Sequence, residues 1–372
     1  KHLVKGKTLI LFDEVQVYQE VVTLIKFLVD EGSYRYVLSG SLLGVELNNL
    51  RSEPVGYMDV KEMYPLDIEE FYHAVGMADH VIAKLRQCWQ DKVPVDEFVH
   101  RRLMQAFRLY LVIGGMPHAV QTYLDTNNLQ DVLAVQKSIL QEYKRDIMKY
   151  KRDDSSQKLY IDEVFQLIPS ELNAKNKRFI LKSLNEKARF ASYENSFLWL
   201  RDADVALPTY NVEEPKLPLL LAKTRNLFKL FQSDVGLLTS QFADGIQLKL
   251  LVDDQAINYG AIYENVVAQE LKAHGFGLYY YNSKRLGELD FIVEYHGNVL
   301  PIEVKSGKDY ERHNALSNVM SSAEYALPEA LVLCNGNVSV DGKVVYMPIY
   351  MLMFLEKEQT VNVTYKLDLS DL

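Results

Sequence analysis

Short apolar runs that end in polar residues define the first predicted elements of the chain. The four apolar residues 9–12 are followed by the acids Asp13 and Glu14, and the segment from Arg35 to Ser41 repeats this pattern with Ser39 after the apolar residues. Continuous apolar runs of this length are typical of buried parallel strands. An amphipathic helical pattern covers residues 17–31 between them. Its predicted apolar face contains Val21, Leu24, Ile25 and Leu28.

The middle of the chain combines helical patterns with strand patterns. Helices are predicted over residues 161–167, 177–184 and 193–201, and strands over residues 205–212 and 226–231. Helices followed by a two-stranded wing are similar to a winged helix, whose last helix can lie in the major groove of DNA. Winged helices also bind proteins, and both interpretations stay open. The predicted last helix begins with Tyr193, Glu194, Asn195 and Ser196, which are poor phosphate ligands.

Near the C-terminus the pattern predicts a helix and then a sheet. Strands at residues 289–293 and 299–304 are joined by a turn at His296, Gly297 and Asn298, which indicates a β-hairpin. The other predicted elements are an amphipathic helix from Gly260 to about His274, a strand at residues 278–281 and a strand at residues 330–334.

Length and composition place limits on the class of protein. At 372 residues the chain exceeds one ordinary core, which predicts two or three domains. The two cysteines, Cys88 and Cys334, are too far apart in sequence to indicate a disulfide framework or a thiolate cluster, so a reducing cytoplasm is expected. No apolar run approaches the roughly 18 residues of a membrane span. The sequence therefore predicts a soluble cytoplasmic protein without a membrane partner.

Charge is distributed unevenly along the chain. The formal net charge is −9, which does not favour nucleic-acid binding over the whole surface. Residues 137–189, however, contain 13 Lys or Arg and 8 Asp or Glu, an excess of five positive charges. If nucleic acid is a partner, its phosphates would contact this segment. The alternative is that these charges lie on a solvated helical surface that binds no nucleic acid.

The strongest chemical signal lies on the predicted hairpin, where Asp290 is on one strand and Glu303 and Lys305 are on the next. Side chains alternate between faces of a strand, so Glu303 and Lys305 point the same way while Ile302 and Val304 point into the core. Converging carboxylates can hold a divalent metal, and a nearby lysine can orient or deprotonate a water. A salt-bridged surface hairpin is the alternative.

This stretch resembles the PD-(D/E)XK nuclease signature, with Asp290 as the first acid and Glu303-Val304-Lys305 as the E-x-K element. The resemblance implies Mg²⁺ or Mn²⁺ at Asp290 and Glu303, with Lys305 as a catalytic residue. A preceding helix often supplies another acid, for which Glu264 is the family-like position and Glu270 the weaker candidate.

The N-terminal strands resemble part of a nucleotide-binding core. Residues 8–14 are similar to a Walker B element, in which Asp13 would hold Mg²⁺ and Glu14 would polarise the attacking water. Ser39 or Ser41 would contact the γ-phosphate of ATP. The sequence has no Walker A loop. We therefore expect that it is the C-terminal part of a longer parent protein, which would bind ATP.

Several segments in a shared order are similar to one group of bacterial and archaeal AAA-type ATPases with a C-terminal nuclease-like domain of unassigned function. Many of these relatives have a Gly-Arg pair in the first segment, and its arginine is a candidate arginine finger that acts in trans. In this chain Tyr57 follows Gly56 instead. Arg51 is then the substitute candidate for the arginine finger. The segments are residues 51–71, 110–117, 168–172, 174–179 and 233–238.

The expected fold is a multidomain α/β protein. Residues 1–72 are predicted to be the C-terminal part of an AAA-type core, 73–155 a helical lid or connector, 156–248 a winged-helix-like domain and 249–372 a PD-(D/E)XK nuclease-like domain. The expected function is ATP- and metal-dependent action on nucleic acid. The alternative is an ATP-regulated binding protein whose nuclease-like domain is inactive. Nucleic acid and further copies of the chain are the candidate partners.

Overall fold

A computed structural model describes residues 3–40, 56–149, 155–174, 178–179, 190–357 and 364. These residues form a mixed α/β structure with many helices and one large mixed sheet. Ser41, Arg51 and most of the helix predicted at residues 177–184 lie outside the described residues. None of the described helices combines the length and the apolar character needed to cross a membrane.

The N-terminal strand, helix and strand form in the predicted order, but the two strands alternate between exposed and half-buried residues, so the prediction that they are buried is wrong. Strands β1 (Leu9–Phe12) and β2 (Arg35–Leu38) pair in parallel, and helix α1 (Gln19–Glu31) connects them. One predicted core position is wrong, because Leu24 is exposed while Val22 and Ile25 are buried. Leu24 lies two residues from Val22, which is about 200° around the helix.

Seven helices follow within the described residues. Asp67 begins the first of them with a capping box, since its side chain accepts from the backbone of Glu70 and the Glu70 carboxylate accepts from the backbone of Asp67. Asp96 caps the third, and Pro117 occupies the first turn of the fourth. The helices are α2 (Ile68–Ala74), α3 (Asp79–Asp91), α4 (Glu97–Ile113), α5 (Pro117–Thr126), α6 (Leu129–Lys149), α7 (Ser155–Asn173) and α8 (Phe190–Asp202).

The remaining strands form an eight-stranded sheet in the order β4-β3-β5-β6-β7-β8-β10-β9. Its strands are β3 (Ala206–Val212), β4 (Lys223–Gln232), β5 (Tyr279–Ser283), β6 (Gly287–Tyr295), β7 (Asn298–Val304), β8 (Ala330–Cys334), β9 (Ser339–Asp341) and β10 (Val344–Pro348). The helices of this part of the chain are α9 (Val235–Ser240), α10 (Ile246–Leu251), α11 (Gly260–Ala273) and α12 (Asn314–Met320).

The predicted wing strands belong to this sheet. Strands β3 and β4 form an antiparallel pair, and β3 also pairs in parallel with β5, with Tyr210 opposite Tyr279. Nearly every residue of β3 is buried. The pair is therefore continuous with the C-terminal strands, and the winged-helix interpretation stays a prediction.

Helix α11 is buried on all sides, whereas the sequence predicted an amphipathic helix. Its residues from Ala261 to Leu271 are all buried. The reason is its position, because it contacts strands β3, β4 and β7 as well as helices α7 and α9. Polar residues in this helix, such as Glu264, therefore need partners inside the protein.

The hydrophobic core crosses the predicted domain boundaries. One cluster of buried side chains extends from Ile68 in α2 through β3 and β4 to Leu355. A second cluster, which includes Leu289 and Leu316, covers the other face of the sheet between β6 and α12. Both faces of the sheet are thus covered, which buries residues near the candidate site.

Candidate functional site

The N-terminal candidate residues meet at the ends of the two parallel strands. Asp13 follows β1 and Ser39 follows β2, and the Ser39 hydroxyl donates a hydrogen bond to Asp13 Oδ1. The same oxygen accepts from the backbone nitrogen of Glu14 at 3.1 Å. Parallel strands end at the same edge of a sheet, where α/β proteins bind ligands. Glu14 has a left-handed backbone, with φ of 52°, as the chain turns away from the strand.

The C-terminal candidate residues lie on the predicted hairpin. Strands β6 and β7 pair antiparallel, with Phe291 opposite Ile302. His296 and Gly297 both have positive φ, as a tight two-residue hairpin turn requires. Before and after the hairpin come α11 and β5, then α12 and β8. The order is helix, three antiparallel strands, helix and a strand parallel to β7.

Asp290 is fixed by the backbone of the neighbouring strand. Its Oδ2 accepts a hydrogen bond from the backbone nitrogen of Val304 at 2.9 Å. Val304 is the residue between Glu303 and Lys305, so this bond holds the first acid beside the E-x-K element.

Glu303 and Lys305 form an ion pair with 2.8 Å between Glu303 Oε1 and Lys305 Nζ. Glu303 is only 7% exposed, so the pair is not the surface salt bridge of the alternative interpretation. Burial alone would lower the pKa of Lys305, but Glu303, with Asp290 and Glu264, raises it above its ordinary value. Lys305 is therefore charged at neutral pH, which favours orienting a water or phosphate over removing a proton.

A second lysine, which sequence reasoning missed, enters the site from β4. Lys229 is fully buried, and its Nζ lies 3.4 Å from Glu264 Oε2, 3.0 Å from Glu288 Oε1 and 4.0 Å from Asp290 Oδ1. Burial would lower the pKa of Lys229, but these three carboxylates raise it well above its ordinary value. The ammonium is thus charged inside the protein.

Glu288 is the other residue that sequence reasoning missed. It lies two residues before Asp290 on β6, so both side chains point to the same face. Its carboxylate contacts Lys229, Asn282 and the Arg178 guanidinium, the last at 3.7 Å. Sequence signals existed for both residues: the spacing of Glu288 to Asp290, and a lysine inside the apolar run Leu-Phe-Lys-Leu-Phe.

Glu270, the weaker candidate, belongs to a different network. Its Oε1 accepts from the backbone nitrogen of Ile68 at 3.1 Å, and His274 Nε2 lies 4.0 Å from Oε2. Burial raises the pKa of Glu270 to about 8. These contacts join α11 to the start of α2, so Glu270 links the helical region to the C-terminal region.

The PD-(D/E)XK resemblance implies a divalent metal, which the donor set fits in part. Within the described ranges, no three His, Cys, Asp or Glu residues are placed to hold a metal together. Glu303 Oε2, however, is buried and accepts no hydrogen bond from a described residue. A carboxylate oxygen in this position is a ligand that Mg²⁺ or Mn²⁺ accepts. The Glu303 end of the cluster therefore fits a cation, whereas Lys229 occupies the Glu264 end.

The structure also bears on the two candidate nucleic-acid surfaces. In α8, Tyr193 and Ser196 are buried, so half of the predicted recognition set does not reach the surface. In α6, by contrast, Lys144 and Arg145 of the basic segment are exposed.

Three family models match the chain. The model described as an AAA domain matches residues 1–72, the domain of unknown function DUF8612 matches residues 104–247, and the domain of unknown function DUF4143 matches residues 259–352. No curated protein and no solved structure matches the chain. The first and last matches support an AAA-type ATPase-like protein. The AAA match also suggests ATP use, for which Mg²⁺ is typical.

Proposed function

We propose that this ATPase-like protein acts on nucleic acid in an ATP- and metal-dependent way through a PD-(D/E)XK nuclease-like C-terminal domain. The observation that carries the proposal is the convergence of Asp290, Glu303 and Lys305 next to α11. The order of helix, three antiparallel strands, helix and parallel strand supports the same fold.

Each residue of the hairpin has a distinct role in the proposed reaction. Asp290, held by the Val304 nitrogen, and Glu303, through its open Oε2, provide hard oxygen ligands. Mg²⁺ or Mn²⁺ at these oxygens would polarise a phosphate and acidify a water. Lys305, kept charged by Glu303, donates hydrogen bonds to the phosphate and stabilises the negative charge that develops on it.

The N-terminal region would use ATP to control this reaction. Asp13 would hold the Mg²⁺ of ATP, Ser39 would contact the γ-phosphate, and Glu14 would polarise the attacking water. The hydrogen bond between Asp13 and Ser39 supports this assignment because it brings two of the three residues together. ATP binding by the N-terminal region is part of the proposal, and the AAA match supports it.

Cleavage assays with matched variants test the proposal. We expect cleavage of single- or double-stranded DNA or RNA in Mg²⁺ or Mn²⁺, abolished by Asp290→Ala and reduced by about 10²–10³-fold in Lys305→Met. The exposed neighbours Asp309 and Lys308 supply the controls Asp309→Ala and Lys308→Met, which should keep full activity. Absence of any metal-dependent cleavage, or cleavage that survives Asp290→Ala, would contradict the proposal.

One observation favours the second candidate, an ATP-regulated binding protein with an inactive nuclease-like domain. Lys229 neutralises carboxylates that an active site would offer to a metal. Binding assays over a range of salt concentrations discriminate between nucleic-acid and protein partners, because phosphate contacts weaken steeply with salt.

A further inference from the structure

Lys229 is an unusual residue for the interior of a sheet. Its side chain is 0% exposed, although a lysine is almost never fully buried unless it is paired. The strand residues around it, from Phe228 to Gln232, are buried as well. The ammonium therefore depends on the side chains that face it for all of its solvation.

Besides the Tyr280 ring, those side chains are carboxylates from two separate elements. Glu264 comes from α11, and Glu288 and Asp290 come from one face of β6. A lysine ammonium is a compact point charge. Carboxylate oxygens from several sides are also the surroundings in which hard divalent cations bind.

We propose that the Lys229 ammonium is a permanent, tethered cation of the carboxylate cluster, where it takes the place of one divalent metal ion. The inference deepens the proposed function and rests on it for the role of the site. In this proposal the carboxylate cluster has two ends. Lys229 fills the end formed by Glu264 and Glu288, and a metal has access only to the end formed by Glu303.

The contacts support this division. Among the described residues, Lys229, Lys305 and Arg178 contact the four carboxylates of Glu264, Glu288, Asp290 and Glu303. Glu303 pairs with Lys305, and its buried Oε2 accepts no hydrogen bond from a described residue.

The consequence is a defined effect of Lys229 on metal binding. A lysine that serves only as an internal ion pair would leave the number of bound metal ions unchanged when it is replaced. A lysine that substitutes for a metal leaves behind the three carboxylates of Glu264, Glu288 and Asp290, and we expect a divalent ion to draw their oxygens together around the vacated position.

Mn²⁺ titration of the wild type and of Lys229→Met measures this difference. We expect Lys229→Met to bind one more Mn²⁺ per chain than the wild type, and its unfolding midpoint to rise more with Mn²⁺ than the wild-type midpoint does. Lys223→Met is the matched control, because Lys223 lies on the same strand and its ammonium contacts the Tyr210 ring. An unchanged stoichiometry in folded Lys229→Met overturns the proposal.

A second measurement on the wild type covers the case in which Lys229→Met does not fold. The side-chain ammonium signal of Lys229, assigned in a ¹⁵N-lysine spectrum by its loss in Lys229→Arg, should persist at saturating Mg²⁺. Displacement of that ammonium by Mg²⁺ overturns the proposal.

The two proposals fail in different ways. Wild-type protein that binds no Mn²⁺ and cleaves no nucleic acid contradicts the proposed function. The gain of a metal ion in Lys229→Met, measured relative to the wild type, still decides the role of Lys229.

Discussion

Asp234 accepts a hydrogen bond from the backbone nitrogen of Gly115, with 2.7 Å between that nitrogen and Oδ2. The other carboxylate oxygen accepts from the backbone of Leu237 at 2.8 Å and caps α9. Asp234 thus ties the beginning of α9 to the end of α4. These residues lie in two segments of the family resemblance, 110–117 and 233–238, so a packing contact joins the two segments.

Replacement of Gly115 by alanine should destabilise the protein. A Cβ at this position would lie 2.0 Å from the backbone oxygen of Leu66, so the backbone must move. We expect a loss of about 1–3 kcal/mol in the free energy of unfolding, measured with urea. Gly307→Ala is the control, because a Cβ there meets nothing within 4 Å and should change stability very little. Equal effects of the two substitutions would contradict the close packing at Gly115.

Removal of Lys229 should be costly when no metal is present. Lys229→Met removes the cation that lies 3.4 Å from the buried carboxylate of Glu264, which is expected to cost about 3–5 kcal/mol. Lys137→Met, which removes an exposed pair with Asp244, should cost about 0–1 kcal/mol. Urea unfolding in the presence of a chelator measures both. A loss in Lys229→Met no larger than in Lys137→Met would show that the buried charges are not paired as described.

Stability should fall as the pH rises, because of His274. Burial alone would lower the pKa of His274, but Asp67 and Glu270 raise it to about 9, from an ordinary value of 6.5. A raised pKa means that folding stabilises the charged histidine. This contribution is fully present below pH 6.5 and is lost as the pH rises through about 9.

We expect a loss of about 2–3 kcal/mol between about pH 6 and about pH 9.5, measured by urea unfolding. Glu270 changes stability in the same direction, since its raised pKa favours the neutral acid, and this contribution is lost as the pH rises through about 8. His274→Gln should therefore reduce the pH dependence but not remove it. An unchanged pH dependence in His274→Gln would contradict the assignment.

If nucleic acid binds through the basic segment, the double variant Lys144→Ala/Arg145→Ala should weaken binding. Each phosphate contact contributes a slope of about −0.9 in a plot of log affinity against log salt for double-stranded DNA. The slope should therefore decrease in magnitude by about two, as measured by fluorescence anisotropy. Lys84→Ala/Arg101→Ala, which removes two exposed cations outside the segment, is the control. Equal changes in both variants would indicate a general charge effect instead.

Local patterns in the sequence predicted the elements that carry the site. The period-two alternation and the turn residues predicted the β6–β7 hairpin, and the apolar run at residues 330–334 predicted β8 with its observed bounds. Asp290, Glu303 and Lys305 could be chosen from sequence because their spacing within the hairpin fixes their relative positions.

The tertiary structure decided how these residues are surrounded. Periodicity predicted one apolar face for α11, but packing on several sides buries the whole helix and places Glu264 in the interior. The tertiary structure also places Lys229 of β4 beside Glu264, which is 35 residues away in sequence, and beside Glu288 of β6. The sequence by itself thus determined which acids share a hairpin, since that depends on neighbouring residues. Only the folded chain decided which cation neutralises them, because charge pairing in the interior depends on strands and helices that are distant in sequence.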